Sequence, residues 1–334
     1  MVTIKDIAEQ LHINFSTVSR ALNHKPGVSE KTRKLVLKTA KELGYQPNSI
    51  ARGLVSKSTQ TLAVVIPDII NPLFGEVTTS IIETANLQNY DVFLCITNWN
   101  PEREKHYIRT VMQKQVDGII IKCVSDANIA SLDPMHIPVV GIESGVNSTI
   151  HSSVSTDNSK GGTLVAEHFL SCGYAHTAII SGPVNSTASV NRCNGFIETM
   201  QRYQKPFSTD RIFAGTYDIA SGYTLTQKIL TQFPETDSIF AGNDVIALGA
   251  LQYLEEHAIR PGKDIGVIGF DNIVLAGMPQ IQLTTVEQPQ KAIGRIVTNL
   301  LLDEIRNHAE QIVNHPQRVL LDPKLIIRET TCNR

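Results

Sequence analysis

The sequence predicts a small all-α head joined to a larger α/β core of two lobes, each built on a parallel sheet. Three observations predict it. The first 58 residues read as short, capped helices separated by tight turns, and the remainder alternates apolar, β-branched runs with amphipathic stretches. The charge divides where those two patterns meet. Residues 1–58 carry ten Lys and Arg against four Asp and Glu, a net of +6; the other 276 carry 20 against 28, a net of −8, which together give the overall −2. A basic head on an acidic body is the charge pattern of a nucleic-acid-binding module attached to something else.

The composition excludes several classes. Of 334 residues, 42% are hydrophobic and 19% charged, which supplies a sizeable core and rules out a wholly disordered or collagen-like chain. No apolar run approaches the length of about 18 residues that a membrane helix needs. The stretch Met1–Glu9 has no basic-then-apolar leader pattern, so a cytoplasmic protein is expected. Cys95, Cys123, Cys172, Cys193 and Cys332 are scattered and contain no Cys-x-x-Cys pair, so reduced thiols are expected, with neither a disulfide framework nor a zinc site. The sequence lacks His-Glu-x-x-His, Gly-x-Ser-x-Gly, Gly-x-Gly-x-x-Gly and a phosphate loop ending in Gly-Lys-Ser/Thr. Glu255-Glu256 read as a solvated helix face rather than an acid–base pair. No enzyme, metal or cofactor is expected.

In the head, Thr3 with Asp6 forms a capping-box-like start, and Ile4, Ile7, Ala8 and Leu11 follow at helical spacing. Asn14 caps a second helix, Phe15 to Asn23, whose inward face is Val18, Ala21 and Leu22. Phe15, Ser16, Thr17, Ser19, Arg20 and Asn23 then fall on or near the other side. Two short helices with a turn between them make a helix-turn-helix, and the first residues of its second helix reach base edges in a major groove. A bare three-helix bundle would have less use for Phe15, Ser16 and Arg20 on its surface. Ser29 caps a third helix to Leu43, with Val36, Ala40 and Leu43 inward and Gly44 as its stop.

After Pro47, Ser49 can cap one more short helix, but Gly53 within it costs about 1 kcal/mol relative to Ala. Such a segment folds only against a partner, which makes it a hinge candidate. Leu54 beside Arg52 suits a wedge between base steps, with the cation on backbone or groove.

In the core, strand patterns fall at Leu62–Ile66, Val92–Ile96, Gly118–Ile121, Pro138–Ile142, Thr177–Ile180, Ser238–Ala241 and Ile265–Phe270. Amphipathic segments between them include Glu76–Gln88, Glu102–Lys114, Gly161–Leu170, Ser221–Gln232 and Val245–His257. Apolar strands alternating with helices imply parallel sheets covered on both faces, with ligands beyond the strands' carboxyl ends. The tail has a strand-like Lys324–Arg328 and no leucine heptads for a tetramer seam, so a dimer is preferred.

The stretches Thr3–Ala8, Ser16–Asn23, Gly44–Asn48 and Ala51-Arg52 resemble the lactose/galactose/purine repressor (LacI/GalR) family. Asn71–Phe74, Val116–Ile120, Gly242–Ala250 and Gly266–Asn272 are family landmarks in the family's order, so the resemblance spans essentially the whole chain. It implies a helix-turn-helix head at 1–47, a hinge helix and linker at 48–60, and an effector-binding and dimerisation core at 61–334. The core would hold two periplasmic-binding-protein-like, Rossmann-like subdomains, one of residues 61–160 and 290–321, the other of 161–289 and 322–334. It implies a homodimer on a pseudo-palindromic double-stranded operator, one head per half-site. The DNA-binding set is Thr3, Phe15, Ser16, Thr17, Ser19, Arg20, Asn23, Arg52 and Leu54. Within it Phe15, Ser16 and Arg20 read base edges, while Thr17, Ser19 and Asn23 hold phosphates. Gly53 departs from the helix former or Ser usual at its position.

The same resemblance places Phe74, Arg192, Tyr217, Asn243 and Asp271 at the effector; Leu73, Ser186 and Ser125 join them as candidates, Ser125 being equally readable as a supporting residue. Asp271 can accept from two hydroxyls, Arg192 and Asn243 can donate, and Phe74 and Tyr217 can stack on an apolar sugar face. Lys122, Glu143 and Gln288 are additional candidates, each equally readable as a supporting residue. The motif Ser189–Arg192 is similar to sugar-responsive members. The purine-responsive member has polar or charged residues where this chain has Val124, Ser186 and Ala188, which argues against the alternative of a purine corepressor. A solute-binding protein would need a leader and no DNA-binding head. The expectation is a repressor of carbohydrate-utilisation genes that a sugar effector releases.

Overall fold

Local capping chemistry starts every helix of the head. In the computed structural model the described residues are 2–45, 58–125, 127–128, 137–143, 151–312 and 315–331. Helix α1 (Ile4–Gln10) opens on a complete capping box: Thr3 N donates to Asp6 Oδ2 at 2.7 Å, and Asp6 N to Thr3 Oγ1 at 3.4 Å. Helix α2 (Phe15–Leu22) is capped by Asn14, whose Oδ1 accepts from Ser16 N at 2.9 Å. Helix α3 (Glu30–Glu42) is capped by Ser29. It ends at Gly44, whose φ of 64° lets Tyr45 N reach back to Ala40 O at 2.8 Å and Gly44 N to Lys41 O at 3.2 Å. Ile7, Ala8, Val18, Ala21, Val36 and Ala40 form the head's core, with Leu22 and Leu43 packed half-buried against it. Arg52, Gly53, Leu54 and the Ser49 cap lie outside the described residues.

Contacts divide the chain into a unit of residues 1–59 and a unit of 60–334. The second unit contains two six-stranded sheets. The first holds β1 (Thr61–Ile66), β2 (Asp91–Ile96), β3 (Gly118–Ile121), β4 (Val139–Ile142), β5 (Ser152–Thr156) and β11 (Arg318–Leu321), in the order β11-β5-β4-β3-β1-β2 and all parallel. The second holds β6 (Thr177–Ser181), β7 (Ile212–Ala214), β8 (Ser238–Ala241), β9 (Gly266–Asp271), β10 (Thr284–Glu287) and β12 (Lys324–Ile326), in the order β12-β10-β9-β8-β6-β7. It is parallel except for β12, which runs antiparallel to β10.

Helices α4 (Pro72–Leu87), α5 (Pro101–Gln113) and α10 (Gln290–Ala309) cover the first sheet. Alternate strand residues serve its two faces. Leu62, Val64 and Ile66 pack with α4 and α10, while Ala63, Val65, Ile119 and Ile121 pack with α5. Helices α6 (Asn158–Ser171), α7 (Thr187–Arg202), α8 (Ile219–Gln232) and α9 (Asp244–Glu256) cover the second sheet. The chain passes between the sheets three times: after β5, after β10 and between β11 and β12.

Several elements depart from the sequence-based reading. Strand β2 is a sheet edge, so Phe93 and Leu94 are exposed although the strand is apolar. Strand β5 reads Ser-Ser-Val-Ser-Thr and buries only alternate residues, which leaves too little hydrophobic signal to notice. Helix α7 has a polar first turn that reads as loop, and α10 starts after Pro289 with no side-chain cap. Cys95, Cys123 and Cys193 are free thiols as expected, but Cys172 is disulfide-bonded, a correction to the expectation of reduced cysteines throughout.

Candidate functional site

On the head, α2 turns Val18 and Ala21 into the core and leaves Phe15, Ser16, Arg20 and Asn23 on the surface, with Thr17 and Ser19 half-buried. Phe15 is 59% exposed. That is a costly position for a ring with nothing to cover it, and a useful one for a groove contact. Some polar groups of this face are already engaged. Asn23 Nδ2 donates to Ser19 O at 2.8 Å, and Thr3 Oγ1 is held by Asp6 Oδ2 at 2.9 Å.

In the core, a small inner cavity of about 30 Å³ lies beyond the carboxyl ends of the strands of the two sheets, and only together with the adjoining outer cavity of about 500 Å³ does it reach the usual size of a small-molecule site. Leu73, Phe74, Ser186, Arg192, Tyr217, Asn243 and Asp271 all line it. Of the sequence-derived set, Ser125 alone is not among the lining residues; its carbonyl accepts from Asn128 N at 2.9 Å. Asn71, Trp99, Lys122, Glu143 and Ala188 complete the wall. A wider outer cavity adjoins it through Trp99, Lys122, Glu143, Ser186 and Tyr217.

Three helices aim their amino termini at this cavity, and their caps decide which atoms remain for a ligand. Asn71 Oδ1 accepts from Leu73 N at 3.0 Å, Ser186 Oγ from Ser189 N at 3.3 Å, and Asn243 Oδ1 from Ile246 N at 2.8 Å. With those oxygens spent on caps, Asn71 and Asn243 present their amide nitrogens, which are donors. Ser186 Oγ also lies 3.1 Å from Tyr217 Oη. Burial raises the Tyr217 hydroxyl above its ordinary value, which keeps it neutral.

The charged residues are tied to the protein on one side. Arg192 Nε donates to Asn158 Oδ1 at 2.8 Å and its guanidinium to Gly242 O at 2.5 Å, with the guanidinium carbon 3.6 Å from the centre of the Phe270 ring. Its nearest approach to Asp271 Oδ1 is 4.0 Å. Asp271 Oδ1 instead accepts from Gln288 Nε2 at 2.7 Å, and the Asp271 carbonyl accepts from Gln290 Nε2. Burial pushes the Asp271 carboxyl up to about 7, with Arg192 opposing and Glu143 reinforcing the rise. Its neighbour Asp244 is fully buried and raised well above the carboxylate range, first by burial and then by Asp271. Asp244 Oδ2 accepts from Ile273 N at 2.8 Å and so holds the loop in which Asp271 and Asn272 have φ of 121° and 54°. Across the cavity Lys122 Nζ lies 3.2 Å from Glu143 Oε2. Burial works to raise the Glu143 carboxyl, but Lys122 and Arg192 outweigh it and hold it below its ordinary value.

Trp99 is the residue that the sequence reading missed. Its ring stands 6.2 Å from Phe74 and 5.9 Å from Tyr217, so three aromatic rings span the gap between the two sheets. The available signal was the chain's one tryptophan just past the carboxyl end of a strand, next to Asn98. Asn158 is legible in the sequence only as a polar residue that follows a strand, and the structure gives it the role of orienting Arg192. Gln288, a candidate contact, acts in the same supporting way through Asp271.

Comparisons with known proteins agree over the whole chain. Residues 3–48 match the family model described as bacterial regulatory proteins, lacI family, and residues 59–329 match that of periplasmic binding proteins and sugar binding domain of LacI family. The chain is 35% identical over 331 residues to a ribose operon repressor of Halalkalibacterium halodurans, covering 99% of this chain and 97% of that one. It is 32% identical over 335 residues to the HTH-type transcriptional repressor PurR of Haemophilus influenzae, covering 99% and 98%. A crystal structure of the lac repressor dimer bound to operator and the anti-inducer ONPF superposes with a TM-score of 0.88 at 26% identity, covering 99% of each chain.

Proposed function

The chain belongs to the LacI family of bacterial regulatory proteins, and from that premise we propose that it is a homodimeric repressor whose hold on a pseudo-palindromic operator is released by a sugar. The family consists of DNA-binding transcription regulators, and the chain is a repressor of that kind, not an enzyme. The observation that carries the sugar reading is the inner cavity itself. Phe74, Trp99 and Tyr217 offer ring faces to an apolar sugar surface, while Asp271, Arg192 and Asn243 offer acceptors and donors to hydroxyls. A relative named ribose operon repressor favours a monosaccharide, and Val124, Ser186 and Ala188 disfavour a purine.

In this reading Phe15, Ser16 and Arg20 read base edges, and Thr17, Ser19 and Asn23 hold phosphates. Arg52 and Leu54 of the hinge contact the central minor groove. Sugar bound between the two sheets draws the subdomains together. That movement separates the paired hinges, and operator affinity falls.

The test is fluorescence anisotropy of the full-length protein on a duplex selected from a random pool, with and without D-ribose, D-xylose, D-glucose, D-galactose, hypoxanthine and guanine. The expected outcome is at least a tenfold loss of operator affinity with one of the sugars, a coupling of about 1.4 kcal/mol. If a purine base tightens operator binding and no sugar alters it, the protein is a corepressor-dependent regulator and the sugar reading is wrong.

A further inference from the structure

The inner cavity holds two carboxylates from opposite subdomains, and each keeps one oxygen unused. Glu143 follows β4 of the first sheet, whereas Asp271 ends β9 of the second. One oxygen of each is committed, Glu143 Oε2 to Lys122 Nζ and Asp271 Oδ1 to Gln288 Nε2. The others, Glu143 Oε1 and Asp271 Oδ2, are buried and have no partner in good hydrogen-bond geometry, the side-chain amides of Asn158 and Asn71 being the neighbouring donors. Both side chains are deeply enclosed, 12% and 2% exposed. A buried acceptor without a well-placed donor is costly, and native proteins retain few of them. Here two occur on facing walls of one cavity. The cavity's cations are each tied to the protein on one side, Lys122 to Glu143 at both the carboxylate and the carbonyl, and Arg192 to Asn158, Gly242 and the Phe270 ring, while Arg192 keeps further N–H donors for a hydroxyl.

We propose that the effector is a neutral, unphosphorylated monosaccharide that bridges the cleft, one hydroxyl donating to Asp271 Oδ2 and a different hydroxyl donating to Glu143 Oε1. Glu143 is thereby a specificity-determining residue. It selects for a donor at the end of the ligand remote from Asp271, and its use ties ligand shape to closure of the two subdomains. An anionic derivative is disfavoured, since its phosphate or carboxylate would face two acidic side chains. This inference rests on the sugar reading of the cleft.

The experiment is isothermal titration of the full-length protein with the sugar it binds most tightly among the four above, each monodeoxy analogue of that sugar, and its phosphate ester. In the parent, two different deoxy positions each cost roughly ten- to hundredfold in affinity, and the ester binds at least as weakly as the worse of them. The penalty at one position disappears in Glu143→Gln, and the penalty at the other disappears in Asp271→Asn. Circular dichroism and sugar-free operator affinity check that both variants fold, and the ester comparison needs no variant. Penalties unchanged in Glu143→Gln, a single hydroxyl answering to both residues, or an ester bound as tightly as the free sugar overturns the bridging assignment while the sugar reading stands. If the parent binds none of the four sugars, both fall together.

Discussion

Asp271 carries the largest electrostatic burden of any residue that faces the cavity. The residue is 1% exposed, its second oxygen has no donor in good geometry, and its backbone adopts a positive φ that an L residue rarely visits. The neighbouring groups hold it there: Gln288 on the side chain, Gln290 on the carbonyl, and Asp244 on the amide of Ile273 two residues further. Because the folded value lies near 7 and the reference value at 3.8, the folded protein keeps a proton that the unfolded chain has released anywhere between those two. Stability therefore falls as pH rises through that window. Asp271→Asn removes the titration while keeping an acceptor for Gln288. Its melting temperature should gain on the parent's between pH 4.5 and pH 7 and the gap should level off above that. A gap that stays constant with pH would show that the folded carboxyl is ionised throughout.

At the scale of elements, the arms of the cavity are set by two closely packed helix pairs. Where α6 crosses α7, a Cβ on Gly162 would collide with the Arg192 carbonyl, and one on Gly195 with the Ser159 carbonyl. Where α8 crosses α9, Gly222 and Gly249 stand in the same relation to the carbonyls of Ile246 and Ile219. The first crossing fixes Arg192 against Asn158, so a Gly195→Ala substitution forces the helices apart at the site itself. It should cost about 1–3 kcal/mol by overpacking, a drop of roughly 2–10 °C in melting temperature. It should also weaken sugar binding more than it weakens operator binding without sugar. Equal weakening of both would mean that the crossing supports the fold and not the site. These helices also show where the sequence was readable. Elements with strong periodicity and side-chain caps, such as α2, α3, α4 and α9, could be placed from residues alone. Helix α7 could not, because its Thr-Ala-Ser-Val-Asn-Arg start has no apolar stripe and buries its polar face toward the cavity and α6. The same limit applied within the site. Asp271, Arg192 and Asn243 follow strands or lie in recognisable motifs, whereas Trp99, Asn158 and the free oxygen of Glu143 become meaningful only once two distant segments are brought together.

At the scale of the whole molecule, the question is how the two subdomains communicate across three chain crossings. Among the described residues the backbone bond from Asp157 N to Leu321 O, at 2.9 Å, ties the first crossing to the third, and two side-chain links beside it differ in environment. Lys160 Nζ meets Asp322 Oδ1 at 2.7 Å between the first and third crossings, with side chains 45% and 73% exposed. Water and salt screen such a pair, and it contributes little. Thr156 Oγ1 donates to Gln288 Oε1 at 2.8 Å between the first and second crossings, both residues being almost wholly buried. Gln288 in turn donates to Asp271, so this link runs from a crossing to the carboxylate at the ligand. In low dielectric surroundings an unmade bond of this kind costs more than an exposed ion pair gains. Thr156→Val removes the donor at nearly constant volume and leaves Gln288 free to turn away from Asp271. The expected result is a smaller ratio of operator dissociation constants with and without sugar, by at least threefold, with sugar-free operator affinity unchanged. Lys160→Ala should leave that ratio within about twofold of the parent, as befits a screened pair. Anisotropy titrations of both variants on the selected duplex, at saturating sugar and without it, decide the matter. If Lys160→Ala lowers the ratio and Thr156→Val does not, coupling runs through the exposed pair, and the buried Thr156–Gln288–Asp271 link merely packs the crossings.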